Sequence, residues 1–394
     1  MLSDTARPVI EATLPVVAAH MDEQITPRFY ARMFEARPEL IDGLFSRANQ
    51  NNATQQKALA GAIVRFAQHL LDHPDTLPEQ VLSRIAHKHT SLGIVEEQYQ
   101  IVYEHLFAAI VEILGDAVTA EVAAAWTEVY WLMADALIKI EKGLYAQQAN
   151  DQIWTPWRLV AKEAAGRGSI TFRFEPADDT PATAGRPGQF VSVRVKLQDG
   201  LRQCRQYSLS EDATSTTSRV FTTKLDEGGE VSPHLHAHIT VGDVIELSNP
   251  YGDITLDSAG GPIVLATAGI GCTPSASALQ TLAQEASERQ VLVLHAERTE
   301  QDWALKEQMR ESLAALPNAD LALWLEDTAG AAEELSARQG FMDLGHIELP
   351  ANAKLYLCGP LPFMKAVRSQ AIAAGIPATD IHYEVFGPDL WLAA

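Results

Sequence analysis

From the N-terminus to about residue 147 the apolar positions recur three and four apart, the spacing of a helix face turned toward a core. Leu59, Ile63, Phe66 and Leu70 share a face within a helix predicted from Gln55 to Leu71. Tyr99, Val102, Leu106, Ile110 and Ile113 mark a second amphipathic stretch, and a third runs from Val122 to Tyr145. Prolines 8, 15, 27, 38, 74 and 78 fall where such helices begin, bend or stop, because proline has no N–H to continue the ladder. No strand-like alternation appears before Trp157, so residues 1–147 are expected to form an all-α domain.

Beyond the polar stretch from Gln147 to Gln152 the period falls to two. Trp157–Val160, Ile170–Phe174, Phe190–Val195, Arg219–Leu225 and Val244–Ser248 are short strand-like runs separated by Gly, Pro and Asp. That texture predicts a small antiparallel β-barrel over residues 153–259. From Pro262 the runs Ile263–Ala266, Val291–Leu294, Leu321–Trp324 and Leu355–Leu357 alternate with helical stretches. Such alternation implies an α/β doubly wound parallel sheet over residues 260–394. The expected fold class is multidomain, without internal repeats.

Composition agrees and narrows the classes. A chain of 394 residues accommodates about two or three domains, and 47% apolar residues gives each a core. The net charge of −21 argues against a nucleic-acid footprint, which needs a basic stripe to neutralise phosphates. No uncharged apolar run reaches about 18 residues, and Met1-Leu2-Ser3-Asp4 lacks a basic region followed by a hydrophobic one. A cytoplasmic protein without a membrane span is expected. Cys204, Cys272 and Cys358 are widely spaced and form no Cys-x-x-Cys, which fits a reducing compartment.

Three stretches carry candidate chemistry. Arg205-Gln206-Tyr207-Ser208 brings a guanidinium, an aromatic ring and a hydroxyl within four residues. These groups can pair a phosphate, stack on a planar cofactor and hydrogen-bond its edge, or simply decorate an ordinary strand. Gly269-Ile270-Gly271-Cys272-Thr273-Pro274 follows a buried strand and opens a helix. Glycines there permit a tight turn and close phosphate approach, and the helix N-terminus adds a positive dipole end. In the helical region, Val81, Ile85 and His89 lie four apart along one side, whereas His87 points about 160° away, toward solvent. A histidine so placed is either a satisfied core residue or a ligand.

Arg186-Pro187-Gly188-Gln189-Phe190, Glu227-Gly228-Gly229-Glu230-Val231-Ser232 and the turn at Gly269 together resemble the ferredoxin-NADP reductase superfamily. Phe29-Tyr30-Ala31-Arg32-Met33-Phe34, Ile85-Ala86-His87-Lys88-His89-Thr90-Ser91 and Glu97-Gln98-Tyr99 resemble the globin domain of bacterial flavohaemoglobins. The order globin, FAD barrel, nicotinamide domain is similar to that family over essentially the whole chain. The resemblance makes His89 the proximal ligand of a b-type haem iron, with Tyr99 and Glu141 as its hydrogen-bonding partners. It assigns Tyr30 and Gln55 to the gas-ligand pocket and Leu59 and Phe45 to its apolar walls. Read without it, Tyr30 is a core aromatic and Gln55 an early-helix polar residue. Lys88, beside the ligand, would help bridge flavin and haem.

For FAD the same resemblance implies Arg205, Gln206, Tyr207 and Ser208 at the ring and ribityl-phosphate side, and Gly228, Val231 and Ser232 at the pyrophosphate. Phe190 stands where the family often has tyrosine, keeping a stacking ring but not a hydroxyl. Gly269, Ile270, Gly271, Cys272, Thr273 and Pro274 would hold NADH or NADPH. Cys358-Gly359-Pro360 and Glu384-Val385-Phe386-Gly387-Pro388 would line the nicotinamide and flavin edges, with Val385 where the family's flavohaemoglobins usually carry Cys. Alone, Cys358 reads as a buried small apolar residue. Glu297 suits a ribose hydroxyl and Arg298 a 2′-phosphate, which leaves the nucleotide preference open.

The implied activity is that of a nitric oxide dioxygenase, in which NAD(P)H reduces FAD, FAD reduces haem, and NO with O2 becomes nitrate. A monomer acting on small molecules is expected. A haem-based O2- or NO-binding sensor with an attached reductase is the alternative from another class, and a flavin or ferric reductase with a vestigial globin is a third.

Overall fold

A computed structural model describes residues 1–42, 44–45 and 54–387. In it the helical periodicity becomes α1 Ala6–His20, α2 Thr26–Ala36, α3 Thr54–Asp72, α4 Glu79–Leu92, α5 Glu96–Leu114 and α6 Ala120–Ala146. A π-helical turn at Met21–Ile25 joins α1 to α2. Pro27 sits in the first turn of α2, where its missing N–H would have had no partner. Pro15, by contrast, lies inside α1 without ending it. Ile10, Leu14 and Val17 keep that helix in place by burying its apolar face. Phe29, Met33, Phe66, Leu70 and Leu106 meet it in one core, each worth roughly 1.5–3 kcal/mol of burial. Gly93 ends α4 in the left-handed region at φ +81°.

The β-rich part contains β1 Trp154–Gly166, β2 Ser169–Pro176, β3 Phe190–Lys196, β4 Arg202–Ser208, β5 Arg219–Lys224, the short helix α7 Val231–His238 and β6 Val244–Ser248. β1 begins at Trp154, ahead of the expected Trp157. Its first residues pair with Ser248 and Leu247 of β6, a partner that no local pattern reveals. The strands lie in the order β4-β3-β6-β1-β2-β5. Antiparallel bridging of Leu209, just past β4, to Phe221 of β5 brings the two edges together, so the sheet curls into a barrel. Phe172, Phe174 and Phe221 are fully buried inside it.

The remainder runs β7 Ile263–Ala268, α8 Thr273–Gln284, β8 Val291–Glu297, α9 Lys306–Ala314, β9 Ala319–Leu325, β10 Arg338–Gln339, β11 Lys354–Cys358, α10 Leu361–Ala373 and β12 Ile381–Glu384. Its sheet has the order β10-β9-β8-β7-β11-β12 with parallel pairing. β7 lies where the strand order reverses, so the loop after it opens at the switch point that ligands favour in such sheets.

Chain contacts group Met1–Ile153 with Arg194–Arg205 in one unit, and Trp154–Val193 with Gln206–Gly387 in another. The first grouping has a local cause. Arg202 makes two guanidinium hydrogen bonds to Asp42 Oδ2, at 2.7 and 3.2 Å, and Gln203 donates to the Ile41 carbonyl. Among the described residues no helix is long and apolar enough to cross a membrane.

Candidate functional site

The geometry of α4 places His89 at the end of a half-open stripe. Leu82, Ala86 and Thr90 form the fully buried side of this helix, while Val81, Ile85 and His89 beside them are only half-buried. His87 is also half-buried rather than turned to solvent as expected. Arg84 and Ser91, one turn to either side of it, are themselves buried, so α4 is covered on more than one flank.

His89 Nδ1 lies 2.9 Å from Glu141 Oε1 and 3.0 Å from the Tyr99 hydroxyl. Tyr99 donates to that same carboxylate oxygen at 2.6 Å. With the tyrosine proton committed to Glu141, Nδ1 faces two acceptors and carries its own proton, leaving Nε2 with the free lone pair. Glu141 is 3% exposed on α6. Burial, and then the Glu141 charge, push the Tyr99 hydroxyl far above its ordinary pKa, so it stays a donor. Tyr130 donates to the Tyr99 carbonyl at 2.5 Å, and Tyr145 donates to the Ile94 carbonyl at 2.7 Å, just past the C-terminus of α4. No sequence signal marked these two braces, since neither shares a helix with the group it holds.

Tyr30 is buried on α2, and its hydroxyl makes no hydrogen bond to the described residues. Burial raises its pKa, keeping the proton on oxygen. Phe29, Phe34 and Phe45 surround the ring at centroid distances of 4.7, 5.7 and 5.9 Å. Gln55 and Leu59, one turn apart on α3, are half-buried, as is Lys88 on α4.

In the barrel, β4 carries Arg205, Gln206 and Tyr207 half-buried and Ser208 buried. Tyr207 stacks on Phe221 at 5.3 Å and 10°. Ser208 Oγ is buried with no hydrogen-bond partner among the described residues, an orphan that a bound polar group would satisfy. Arg205 donates to the Cys204 carbonyl at 2.7 Å. Phe190 is 4% exposed; a Cβ added at Gly252 would come 3.3 Å from its ring. Gly228 lies in an exposed turn, and Val231 and Ser232 open α7. Ser232 Oγ accepts from Asp226 N at 3.0 Å.

After β7, Gly269–Cys272 forms a single 3-10 turn and Pro274 falls in the first turn of α8. Gly269 has φ +56°. A Cβ on Gly271 would stand 2.5 Å from the Cys358 carbonyl, so only glycine lets this turn close on the end of β11. Thr273 is buried and Ile270 half-buried. Cys358 pairs in register with Glu384 across β11 and β12; burial and then Glu384 raise its thiol pKa. A cavity of about 30 Å³, room for roughly one water, is lined by Pro187, Gly188, Pro274, Ser275, Cys358 and Glu384 among others. Gly359 and Pro360 lead into α10. Val385 is buried, Phe386 is 45% exposed and Gly387 has φ +98°, while Pro388 lies outside the described residues. Glu297, considered for a ribose hydroxyl, is turned inward with 3% of its side chain exposed.

The three parts match three known domain families: globin over residues 27–137, oxidoreductase FAD-binding domain over 156–256, and oxidoreductase NAD-binding domain over 265–369. The flavohaemoprotein of Chromobacterium violaceum is 40% identical, with 98% of each chain covered. That of Bacillus subtilis is 36% identical over 100% of this chain and 99% of its own. This chain belongs to the flavohaemoprotein family. A crystal structure of the Malassezia yamatoensis flavohaemoglobin with bound FAD and haem is similar to it at a TM-score of 0.92 and 42% identity, covering 98% of this chain and all of that one. The FAD/NAD-binding domain of the nitric oxide dioxygenase from Vibrio cholerae is 31% identical over 59% of this chain and 99% of its own, with a TM-score of 0.55. As a flavohaemoprotein with both reductase domains, the chain is an NAD(P)H-dependent oxidoreductase.

Proposed function

We propose that this flavohaemoprotein is a nitric oxide dioxygenase, oxidising NO with O2 to nitrate and drawing electrons from NAD(P)H through FAD to a b-type haem. The observation that carries the reading is the His89–Tyr99–Glu141 network in the same unit as the buried Tyr30, whose hydroxyl makes no hydrogen bond to the described residues. The relatives' names and titles support it: flavohaemoprotein in Chromobacterium violaceum, bound FAD and haem in Malassezia yamatoensis, nitric oxide dioxygenase in Vibrio cholerae.

The residues fit the three groups. Among the described residues no cluster of three His, Cys, Asp or Glu side chains offers a metal site, whereas His89 alone would suit an iron whose remaining protein-independent ligands come from a macrocycle. When bound, the nucleotide, FAD and haem supply hydride, electron and oxygen chemistry. His89 Nε2 binds the iron, and Tyr99 and Glu141 hold the Nδ1 proton, making the imidazole a stronger donor. Tyr30 donates toward the gas ligand; Gln55 adds a second polar group, and Leu59 and Phe45 keep water out. Lys88 adds positive charge next to His89. Arg205 pairs the flavin phosphate, Gln206 and Tyr207 hold the ring, Ser208 meets its polar edge, and Gly228, Val231 and Ser232 admit the pyrophosphate. Phe190 packs near the flavin's adenine end. The turn from Gly269 to Pro274 would receive the nucleotide, and Cys358, Gly359, Pro360 and the segment Glu384 to Gly387 would line the nicotinamide and flavin edges.

Anaerobic reduction by NADH, followed by addition of NO and O2 with nitrate counted, tests the proposal. One nitrate per NO consumed is expected. Protein that binds both gases and forms no nitrate would instead be a gas-binding sensor.

A further inference from the structure

One lysine of the barrel is engaged in a way that neither the flavin motif nor the nucleotide turn uses. Lys162 on β1 stands opposite Phe172 of β2, with its ammonium 5.5 Å from that ring. The ammonium donates to the carbonyls of Leu235, His236 and Ile239 at 3.1, 2.7 and 2.8 Å. These belong to the last turn and C-cap of α7, groups that a helix leaves without partners of its own. Lys162 makes no ion pair among the described residues, and burial lowers its pKa. Its three N–H donors are all committed to one helix end, whose partial negative charge stands in for a carboxylate.

The other end of α7 is open. Val231 and Ser232 are buried, yet their backbone N–H groups make no hydrogen bond among the described residues. Pro233 has no N–H, and that of His234 is taken by the Glu230 carbonyl at 3.3 Å. No side chain caps this end. Free amides at a helix start suit a phosphate, and they point along the helix axis, so the placement of α7 decides where they aim. With eight residues α7 is too short to hold itself, and beyond its first two residues Leu235 alone is buried. Its placement therefore depends on ties from the barrel. Lys162 supplies three at one stroke, and His236 adds one through Nε2 to Thr223 Oγ1 on β5 at 2.7 Å.

We infer that Lys162 is a positioning residue for FAD: by anchoring the C-terminal end of α7 it sets the direction of the Val231 and Ser232 amides that receive the pyrophosphate. This role rests on reading the start of α7 as the pyrophosphate site. Retention of FAD then depends on a side chain at the far end of the helix from the cofactor. A loosened α7 weakens the hold on phosphate while leaving the contacts to the flavin ring, which come from β4, as they were.

The test strips FAD from the haem-loaded full-length protein and titrates it with FAD and with riboflavin, which keeps the ring and has no phosphate. Quenching of flavin fluorescence reads both. Lys162→Met keeps the stem and removes the donors. It should weaken FAD binding about tenfold to hundredfold, the worth of one charge-assisted hydrogen bond, and leave riboflavin binding unchanged. Lys162→Arg, which keeps charge and donors, should recover most of that loss. Hydrogen exchange in the flavin-free protein should be faster across α7 in Lys162→Met and unchanged across β1 and β2. Equal FAD affinity in wild type and Lys162→Met overturns the inference, as does an equal loss of FAD and riboflavin. Where Lys162→Met takes up neither flavin, Lys162→Gln is read in its place and must show the selective loss. Where riboflavin binds too weakly to titrate, the exchange of α7 decides, and an unchanged rate counts against the anchor. Wild type that binds FAD no more tightly than riboflavin overturns the reading of the helix start and the role of Lys162 together.

Discussion

At the scale of single residues, the Tyr30 hydroxyl, which makes no hydrogen bond to the described residues, and the doubly engaged His89 Nδ1 make distinct predictions. Tyr30→Phe removes one donor and keeps the ring among Phe29, Phe34 and Phe45. A lost bond to a partly charged acceptor is worth roughly 1.5–3 kcal/mol, about a tenfold to hundredfold faster O2 release from the reduced protein. Stopped-flow dissociation measures it, and an unchanged rate would remove Tyr30 from the pocket. His89→Ala should abolish stable haem binding, whereas His87→Ala should leave the haem spectrum nearly unchanged. Loss of haem from His87→Ala alone would exchange the two assignments. Spacing on α4 singled out His89, but its partners were legible only through family resemblance. Glu141 Oε1 meets His89 from another helix, 52 positions along the chain, and no periodicity connects two helices.

At the scale of elements, periodicity served helices better than strands. α3, α5 and α6 lie within a few residues of their predicted spans, because a repeated buried face leaves several turns of evidence. β4 shows no clean alternation in burial along Arg202–Ser208; its polar side chains suit ligand binding, and that use hides the strand. β10 and β12, of two and four residues, are too short to carry a pattern. The end of α4 yields a third prediction. Gly93 adopts φ +81°, and a Cβ there would come 2.6 Å from Ile153 Cγ2. Gly93→Ala should cost about 2–4 kcal/mol, combining left-handed strain with overpacking. Urea unfolding followed by helical circular dichroism checks it, and adding Ile153→Ala should return the packing part. Equal stability of Gly93→Ala and wild type would show that the helix end re-forms without the left-handed residue.

At the scale of the molecule, the pH dependence of stability has an identifiable contributor in the parallel sheet. His295 on β8 is fully buried, bonded through Nδ1 to Thr267 at 2.8 Å and stacked on Trp303 at 5.0 Å. Burial, reinforced by Lys224, lowers its pKa from 6.5 to about 3. Above 6.5 neither the folded nor the unfolded form binds this proton, and its contribution is constant. As pH falls from 6.5 toward 3 only the unfolded chain takes it up, so stability declines by up to ~1.4 kcal/mol per pH unit from this group. Denaturation at pH 7, 6 and 5 should show that slope in wild type and a shallower one in His295→Gln; identical slopes would assign the acid sensitivity elsewhere. The pairing of β1 with β6 has a consequence in time. Trp154 finds its partner at Ser248, so on the ribosome the helical residues are complete long before the sheet can form. At ~5–20 residues per second, the β6-facing edge of β1 stays unpaired on the order of 5–20 s after its other edge can already pair with β2, a nascent-chain interval in which chaperone capture competes with barrel closure.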